Sequence, residues 1–404
     1  MSSWATDTNY SGLTGDQAVW NGTPTKVTPT AGERLQGVVP QDPIAAQKIN
    51  YILGEAYMRK ARVTYSPSGT VNDVNPTDFA SCGVFMLTPS AATVITGLVP
   101  GTYTDRMLDI VHAGTAGANE FPVIFPDQHT GSTAANRVRG RMGALPLILL
   151  PGDSMRLLYN ATASRWDCVY HSRGMTESGF CNAGWTDFQF VTTSIYADDG
   201  GQIVDPWPVS DTGLTATEKA QGVVALTTGG STSFDAWVGV AESGAGAITP
   251  GQGQAFVVAR LFISAVSDGT DTFRTTFGFH DAMMQTDDVA DNGAFISYTH
   301  SENSGKWKAC CAGSATRTDA DTTVTPSTSV FHTMFVYCNA DWSAATAAVS
   351  ADGIDWTFTA LSGANMPTAT ELTAMGVHMG KSAGTTSRST YVDFLGCRFD
   401  GARG

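Results

Sequence analysis

Three kinds of residue string in this chain could do chemistry. The first is Gly152-Asp153-Ser154, placed just after the apolar run Leu145 to Leu150, because a serine in a tight turn becomes a nucleophile when a histidine takes its proton. The second is any pair of carboxylates able to flank a glycosidic bond, usually spaced Glu-x-Asp-x-Glu on one strand face. The third is the set of Asp-rich loops, Asp198-Asp199, Asp287-Asp288 with Asp291, and Asp319 with Asp321, which invite a calcium ion.

None of the three completes its pattern. The residues after Ser154 alternate like a strand, and the only Asp-x-x-His, Asp109 to His112, lies upstream of the serine. The string resembles the nucleophile block of SGNH esterases, whose pattern implies a helix after the serine and an Asp-x-x-His downstream; both are missing. None of the eight Glu is followed by Asp at the hydrolase spacing, so a catalytic pair would have to come from separate strands, Asp281 with Asp393 for example. Val289 interrupts the one loop closest to an EF-hand, and the seven His are scattered without ligand spacing. The sequence therefore predicts no enzyme activity and no cofactor or metal.

Sugar contact asks for less: an exposed aromatic face beside hydrogen-bonding groups. Trp185, Trp342 beside Asp341, and Trp207 qualify by composition. Trp207 sits between Pro206 and Pro208, which keeps it out of a central strand and places it in a loop.

The charge narrows the partners. The formal net charge is −14, and residues 173–404 hold 11 Lys/Arg against 24 Asp/Glu. Such a surface repels phosphate backbones and anionic membranes, which excludes nucleic acid and suits neutral partners such as glycans. The first residues, MSSWATDTNYSG, have no basic or apolar signal regions. No apolar run is long enough to span a bilayer. Seven Cys at irregular spacings make neither a disulfide framework nor a Cys-x-x-Cys metal site, so reduced, mostly buried thiols are expected, with Cys310 and Cys311 pointing to opposite faces of a strand.

These residues must be positioned by β-structure, since 43 Gly and only 15% charged residues describe a chain rich in turns and poor in solvated helix faces. Residues 1–41 form an irregular arm with Trp4, Tyr10 and Trp20 as aromatic anchors. Residues 42–65 read as a helix, with Asp42 as N-cap, Pro43 at the first position and Ala45, Ile49, Ile52, Leu53 and Ala56 on one face. A helix so short must bury that face against the downstream β-domain or against copies of itself. Residues 66–172 form a small β-domain, with strands expected at Gly83 to Leu87, Thr93 to Leu98, Met107 to Val111, Phe121 to Phe125, Leu145 to Leu150, Met155 to Tyr159 and Trp166 to Tyr170. Residues 173–404 form a β-sandwich, since Phe256, Val258 and Phe262 alternate with Val257, Ala259 and Leu261, while Phe273, Phe277 and Phe279 share one parity. This last region is expected to fold alone.

Two resemblances follow. The arm, the Val38-Val39-Pro40 turn and Ile49-Asn50-Tyr51-Ile52-Leu53 resemble the N-terminal segment of bacteriophage tail fibre and tailspike-like proteins. So do Ala135-Asn136-Arg137, the Leu-Pro-Gly turn, the Leu-Leu-Tyr strand and Trp166 in the small domain. From Gly222 to Gly229 through Ala255 to Ser264, Phe277 to Asp281, Phe295 to Tyr298, Trp307 to Ala312, Phe331 to Val336, Ser350 to Gly353 and Tyr391 to Phe394, the order of features is similar to the concanavalin A-like jelly roll. The resemblance implies a virion structural protein, with the arm binding other virion proteins. It implies a homo-oligomer, expected as a trimer through Ile49, Ile52, Leu53 and Ala56. It also implies an adhesin contacting host surface glycan, through Trp207 for instance. A capsid decoration or head-fibre protein, and a glycan depolymerase, are the alternatives.

Overall fold

The computed structural model describes residues 62–101, 106–115, 119–140, 146–172, 223–228, 230, 234–240, 248–281 and 290–401, together with short strands at Val19–Trp20, Thr23–Pro24, Ala183–Thr186, Ala197–Asp198 and Gln202–Ile203. The described residues contain strands and three short 3-10 turns, and no α-helix. Residues 42–61 of the expected helix lie outside them. Arg62–Tyr65, the end of that expected helix, is instead a strand. The reason is local: Val63, Thr64 and Tyr65 are β-branched or aromatic, and Val63 and Tyr65 share the parity that meets the core. In the arm, Val19–Trp20 and Thr23–Pro24 pair as a small antiparallel ladder.

The small domain is two sheets around one core. Four strands, in the order Leu147–Leu149, Val123–Phe125, Thr93–Ile95 and Gly69–Val71, form one layer. Six strands, in the order Arg62–Tyr65, Val84–Leu87, Met107–His112, Ser154–Asn160, Arg165–His171 and Val138–Arg139, form the other. All seven strands expected from the sequence are present. Phe79, Phe85, Leu108, Ile110, Leu157 and Trp166 fill the space between the layers at 0% exposure. Each such side chain contributes about 1.5–3 kcal/mol of burial. The Trp166 indole N–H donates to the Leu98 carbonyl at 2.7 Å, so its polar edge is satisfied as well.

The second domain is a sandwich of an eight-stranded and a seven-stranded sheet, paired antiparallel throughout. Its chain passes repeatedly between the layers. Gly253–Ile263 lies in the first sheet, Phe273–His280 to Thr316–Asp321 in the second, His332–Cys338 to Thr357–Ser362 in the first, Ala374–Lys381 in the second and Ser389–Gly401 in the first. This is jelly-roll connectivity. Val257, Leu261, Phe277, Phe279, Ile296, Val336 and Val377 meet in the core between the sheets.

The alternate positions of Gly253–Ile263 are also buried, and for a different reason. Phe256 and Val258, with Phe335, Tyr337, Ala348 and Phe394, point out of the sandwich and pack on Ile124, Ile148 and Leu150 of the small domain. The small domain is thus docked on the outer face of the eight-stranded sheet. Two polar links join the same interface, Arg398 to Asp153 and His129 to Asp355.

Candidate functional site

The residues singled out by the sequence do not assemble into a catalytic centre. Ser154 pairs with Val111 on the neighbouring strand, so Gly152-Asp153-Ser154 and Asp109 to His112 do meet in space, but the Ser154 and His112 side chains lie on opposite faces of the sheet. His112 points inward, with Nε2 at 2.7 Å from the Phe121 carbonyl and Nδ1 accepting the Gly114 N–H. Ser154 lies on the outer side, and Asp109 is held by Arg156 at 2.6 Å. Asp281 and Asp393 belong to different sheets: Asp281 accepts the backbone N–H groups of Asp291 and Asn292 at 2.9 and 3.1 Å, and Asp393 pairs with Arg260 at 2.5 Å.

Trp342 is a core residue, 2% exposed, its indole N–H donating to the Gly253 carbonyl. Asp319 is occupied by Lys308 and Arg317. Among the described residues no three His, Cys, Asp or Glu side chains converge as metal ligands. The six described cysteines are all buried and none forms a disulfide; Cys311 faces the sandwich core and Cys310 the opposite side. Ile49, Ile52, Leu53, Ala56 and Trp207 lie outside the described residues, and Trp185 sits on a short strand paired with Ser389–Gly401.

The face with chemical potential is the outer side of the seven-stranded sheet, opposite the docked domain. Along Phe273–His280 the phenylalanines point into the core, so Arg274, Thr276, Gly278 and His280 point out. Register then builds rows across the strands. Trp237, His378, Thr276, Ser297 and Lys308 share one row, and Gly239, Gly376, Gly278, Phe295 and Cys310 the next. The glycines have a backbone cause: Gly278 and Gly376 have φ of 139° and 156°, and a Cβ there would come within 2.7 Å of the Ala294 oxygen and 2.2 Å of the Val238 oxygen. The consequence is a gap without side chains at Gly239, Gly376 and Gly278. The His280 and His378 rings lie 6.2 Å apart and His280 lies edge-on to Phe295 at 6.1 Å.

This face is dry and incompletely satisfied. His280 is 0% exposed, and neither of its ring nitrogens has a well-formed hydrogen bond. Burial, reinforced by the neighbouring His378, pushes its pKa down to about 3, against an opposing pull from the Gly376 backbone. The Thr276 hydroxyl and Arg274 Nε beside it are likewise buried without partners. Leaving such groups unpaired costs about 1–3 kcal/mol each, so their clustering calls for a reason.

The far half of the face is a charge network. Glu302 accepts from Arg274 at 2.7 Å and from Arg317 at 2.9 Å, with Lys308 at 3.6 Å. Burial raises the Glu302 pKa, but the Arg274 hydrogen bond and the charges of Arg274, Arg317 and Lys308 outweigh it and hold the group at about 2. The Arg274 guanidinium also donates to Ser297 at 3.0 Å, which ties the network to the row that holds Thr276 and Trp237.

Sequence reasoning missed Trp237, Arg274, Thr276, His280, Glu302 and His378. The signal was present in part. Once Phe273, Phe277 and Phe279 define the inward parity, Arg274, Thr276 and His280 must share the other face.

No protein-family model matches the chain, and no curated protein matches it. Solved structures do. A protein of unknown function from Shewanella oneidensis MR-1 is similar over 57% of this chain and 92% of its own, at 11% identity and a TM-score of 0.41. The carbohydrate recognition domain of Emp47p covers 57% of this chain and 100% of its own, at 11% identity and a TM-score of 0.35. The seed lectin of Lotus tetragonolobus covers 55% and 100%, at 9% identity and a TM-score of 0.34. The described residues are all-β, and the second domain is a jelly-roll sandwich by its own strand order and register.

Proposed function

We propose that the protein is a non-catalytic glycan-contacting module, and more finely a structural adhesin of a bacteriophage virion of the tail-fibre or tailspike kind. The observation that carries glycan contact is the outer face of the seven-stranded sheet. There the half-buried Trp237 heads the row that runs through His378, Thr276 and Ser297 to Lys308, and the Thr276 hydroxyl, the His280 ring and Arg274 Nε lie buried without partners on the same face. A polyhydroxylated neutral ligand can both donate and accept hydrogen bonds and can stack on an aromatic ring. The acidic charge of the second domain favours such a ligand over an anionic one.

The virion reading is supported by the resemblance of the N-terminal segment and the small β-domain to phage tail fibre and tailspike-like proteins. It also accords with an architecture in which the small domain docks on one sheet and leaves the other directed away from it. A homo-oligomer, expected as a trimer, attachment through residues 1–41 and residence in the particle belong to this reading. A capsid decoration or head-fibre role differs only in particle location.

Saturation-transfer NMR of the full chain against purified host capsule and lipopolysaccharide tests glycan contact. Binding that weakens in Trp237→Ala and Thr276→Val is expected. No binding to any surface polysaccharide overturns it. Following reducing ends in the same samples tests the non-catalytic part, and sustained release would make the protein a depolymerase. Imaging the virion at subnanometre resolution decides the location.

A further inference from the structure

The outermost strand of a sheet carries backbone N–H and C=O groups with no neighbouring strand, a template on which another chain can pair. Most of the described edges are blunted. Gln202–Ile203, Ala197–Asp198 and Val138–Arg139 are two residues long, and Leu147–Leu149 and Gly69–Val71 three. Arg62–Tyr65 opens on an arginine, and Thr316–Asp321 carries Arg317, Asp319 and Asp321. Thr357–Ser362, the outer strand of the eight-stranded sheet, differs: it is six residues long and holds no charge, proline or glycine. It pairs with Ala344–Ser350 in one unbroken register, without a bulge. In an antiparallel pair every second residue turns its N–H and C=O outward. Among the described residues nothing bonds to the backbone of Thr357–Ser362 beyond that ladder.

We infer that this edge pairs with the same edge of a second copy, antiparallel about a twofold axis perpendicular to the sheet, so that two eight-stranded sheets become one. Charge and composition choose the occupant. Copies that each carry −14 repel one another, and this strand adds no charge to the contact. Thr, Phe and Leu favour a strand, and a short uncharged run of such residues pairs with itself. The orientation follows from Asp355, whose side chain is 84% exposed just before the strand. Parallel pairing in register would set two Asp355 carboxylates side by side. Antiparallel pairing centred on Thr359 sets Asp355 opposite the partner's Gly363 and holds the two carboxylates about 26 Å apart at about 3.3 Å per residue, well beyond a Debye length of about 8 Å. The axis keeps each sheet face on its own side, so residues of one parity must meet. Thr359 then meets the partner's Thr359, and Phe358 the partner's Ala360, a hydroxyl beside a hydroxyl and a large side chain beside a small one.

The contact closes on itself. It uses up Thr357–Ser362, and the opposite edge of the same sheet, Gln202–Ile203, is too short to continue it, so the product is a dimer and not a fibre. A six-residue edge is about 20 Å long, and main-chain bonds along it supply the affinity. An edge-only contact of that length falls at the small, transient end of interfaces, so pairing depends on concentration. This twofold contact is separate from the threefold one expected through Ile49, Ile52, Leu53 and Ala56, and it stands apart from the glycan reading.

Hydrogen exchange of the full chain at low and high concentration, with the mass by light scattering of the same samples, tests it. Amides of residues 357–362 should gain several-fold protection with concentration as the mass doubles. Ala360→Lys changes an exposed side chain in the way natural edges are blocked. It should abolish both changes without moving the melting temperature, and an equal mixture with Ala360→Glu should restore them. Amides that stay unprotected at every concentration overturn the inference. Protection in a monomer, independent of concentration, also overturns it and assigns the edge to the chain itself. A mass doubling that Ala360→Lys leaves intact overturns it as well and places the contact elsewhere.

Discussion

Arg398, on the last strand of the sandwich, donates from Nη1 to both carboxylate oxygens of Asp153, at 2.8 and 2.7 Å, across 245 residues of sequence. Both side chains are buried, 6% and 1% exposed, and the Leu150 N–H adds a third bond to the same carboxylate at 2.9 Å. The residue that gave Gly152-Asp153-Ser154 its nucleophile-like look is therefore the polar anchor of the domain interface. Removing one partner of a buried pair strands the other charge, at about 3–5 kcal/mol. Arg398→Met should lower unfolding stability by about that amount in urea melts. Asp153→Leu combined with Arg398→Met should recover much of it, and a double-variant loss equal to the sum of the two single-variant losses would show that the pair is not coupled.

The interface changes the expectation that residues 173–404 fold alone. Cut off from the small domain, that fragment would expose Phe256, Val258, Phe335, Phe394, Trp356 and Phe358 on one sheet face. We expect it to aggregate or bind a hydrophobic dye, and Val258→Thr with Phe335→Thr to improve its solubility. A monomeric, cooperatively melting wild-type fragment would restore the original expectation.

Acid should unfold the sandwich in two windows. The unfolded chain protonates the His280 imidazole near 6.5 and the folded chain only near 3, so stability is full above pH 6.5. It then declines by about 1 kcal/mol per pH unit as pH falls through that interval. Glu302, held at about 2 against 4.5 when unperturbed, contributes above pH 4.5 and is lost as pH falls toward 2. His280→Phe should flatten the upper window and Glu302→Gln the lower one in thermal melts against pH. A pH profile unchanged by His280→Phe would mean the imidazole has found a partner.

The glycine strip has a sharp requirement. Gly376→Ala places a Cβ 2.2 Å from the Val238 oxygen at a φ of 156°, and should cost about 1–3 kcal/mol or more. Gly269→Ala, with open space around its Cβ, should stay within about 0.5 kcal/mol. Similar melting temperatures for the two variants would show that the sheet relaxes around the added methyl.

The sequence by itself determined the strand content, the seven strands of the small domain and the jelly-roll order. Alternation in Val84–Leu87, Met107–His112 and Phe273–His280 is local and survives any context, because side chains two apart must share a face. Tertiary structure alone decided what each face meets. Phe256 and Val258 read only as buried; that they meet Ile124 and Ile148 rather than the other sheet depends on docking between distant segments. Asp153 read as a turn residue until Arg398 arrived beside it, and His280 as scattered until strand register brought it near His378. Pairing across 98 to 245 residues leaves no local pattern, since any strand of the right period could have been the partner.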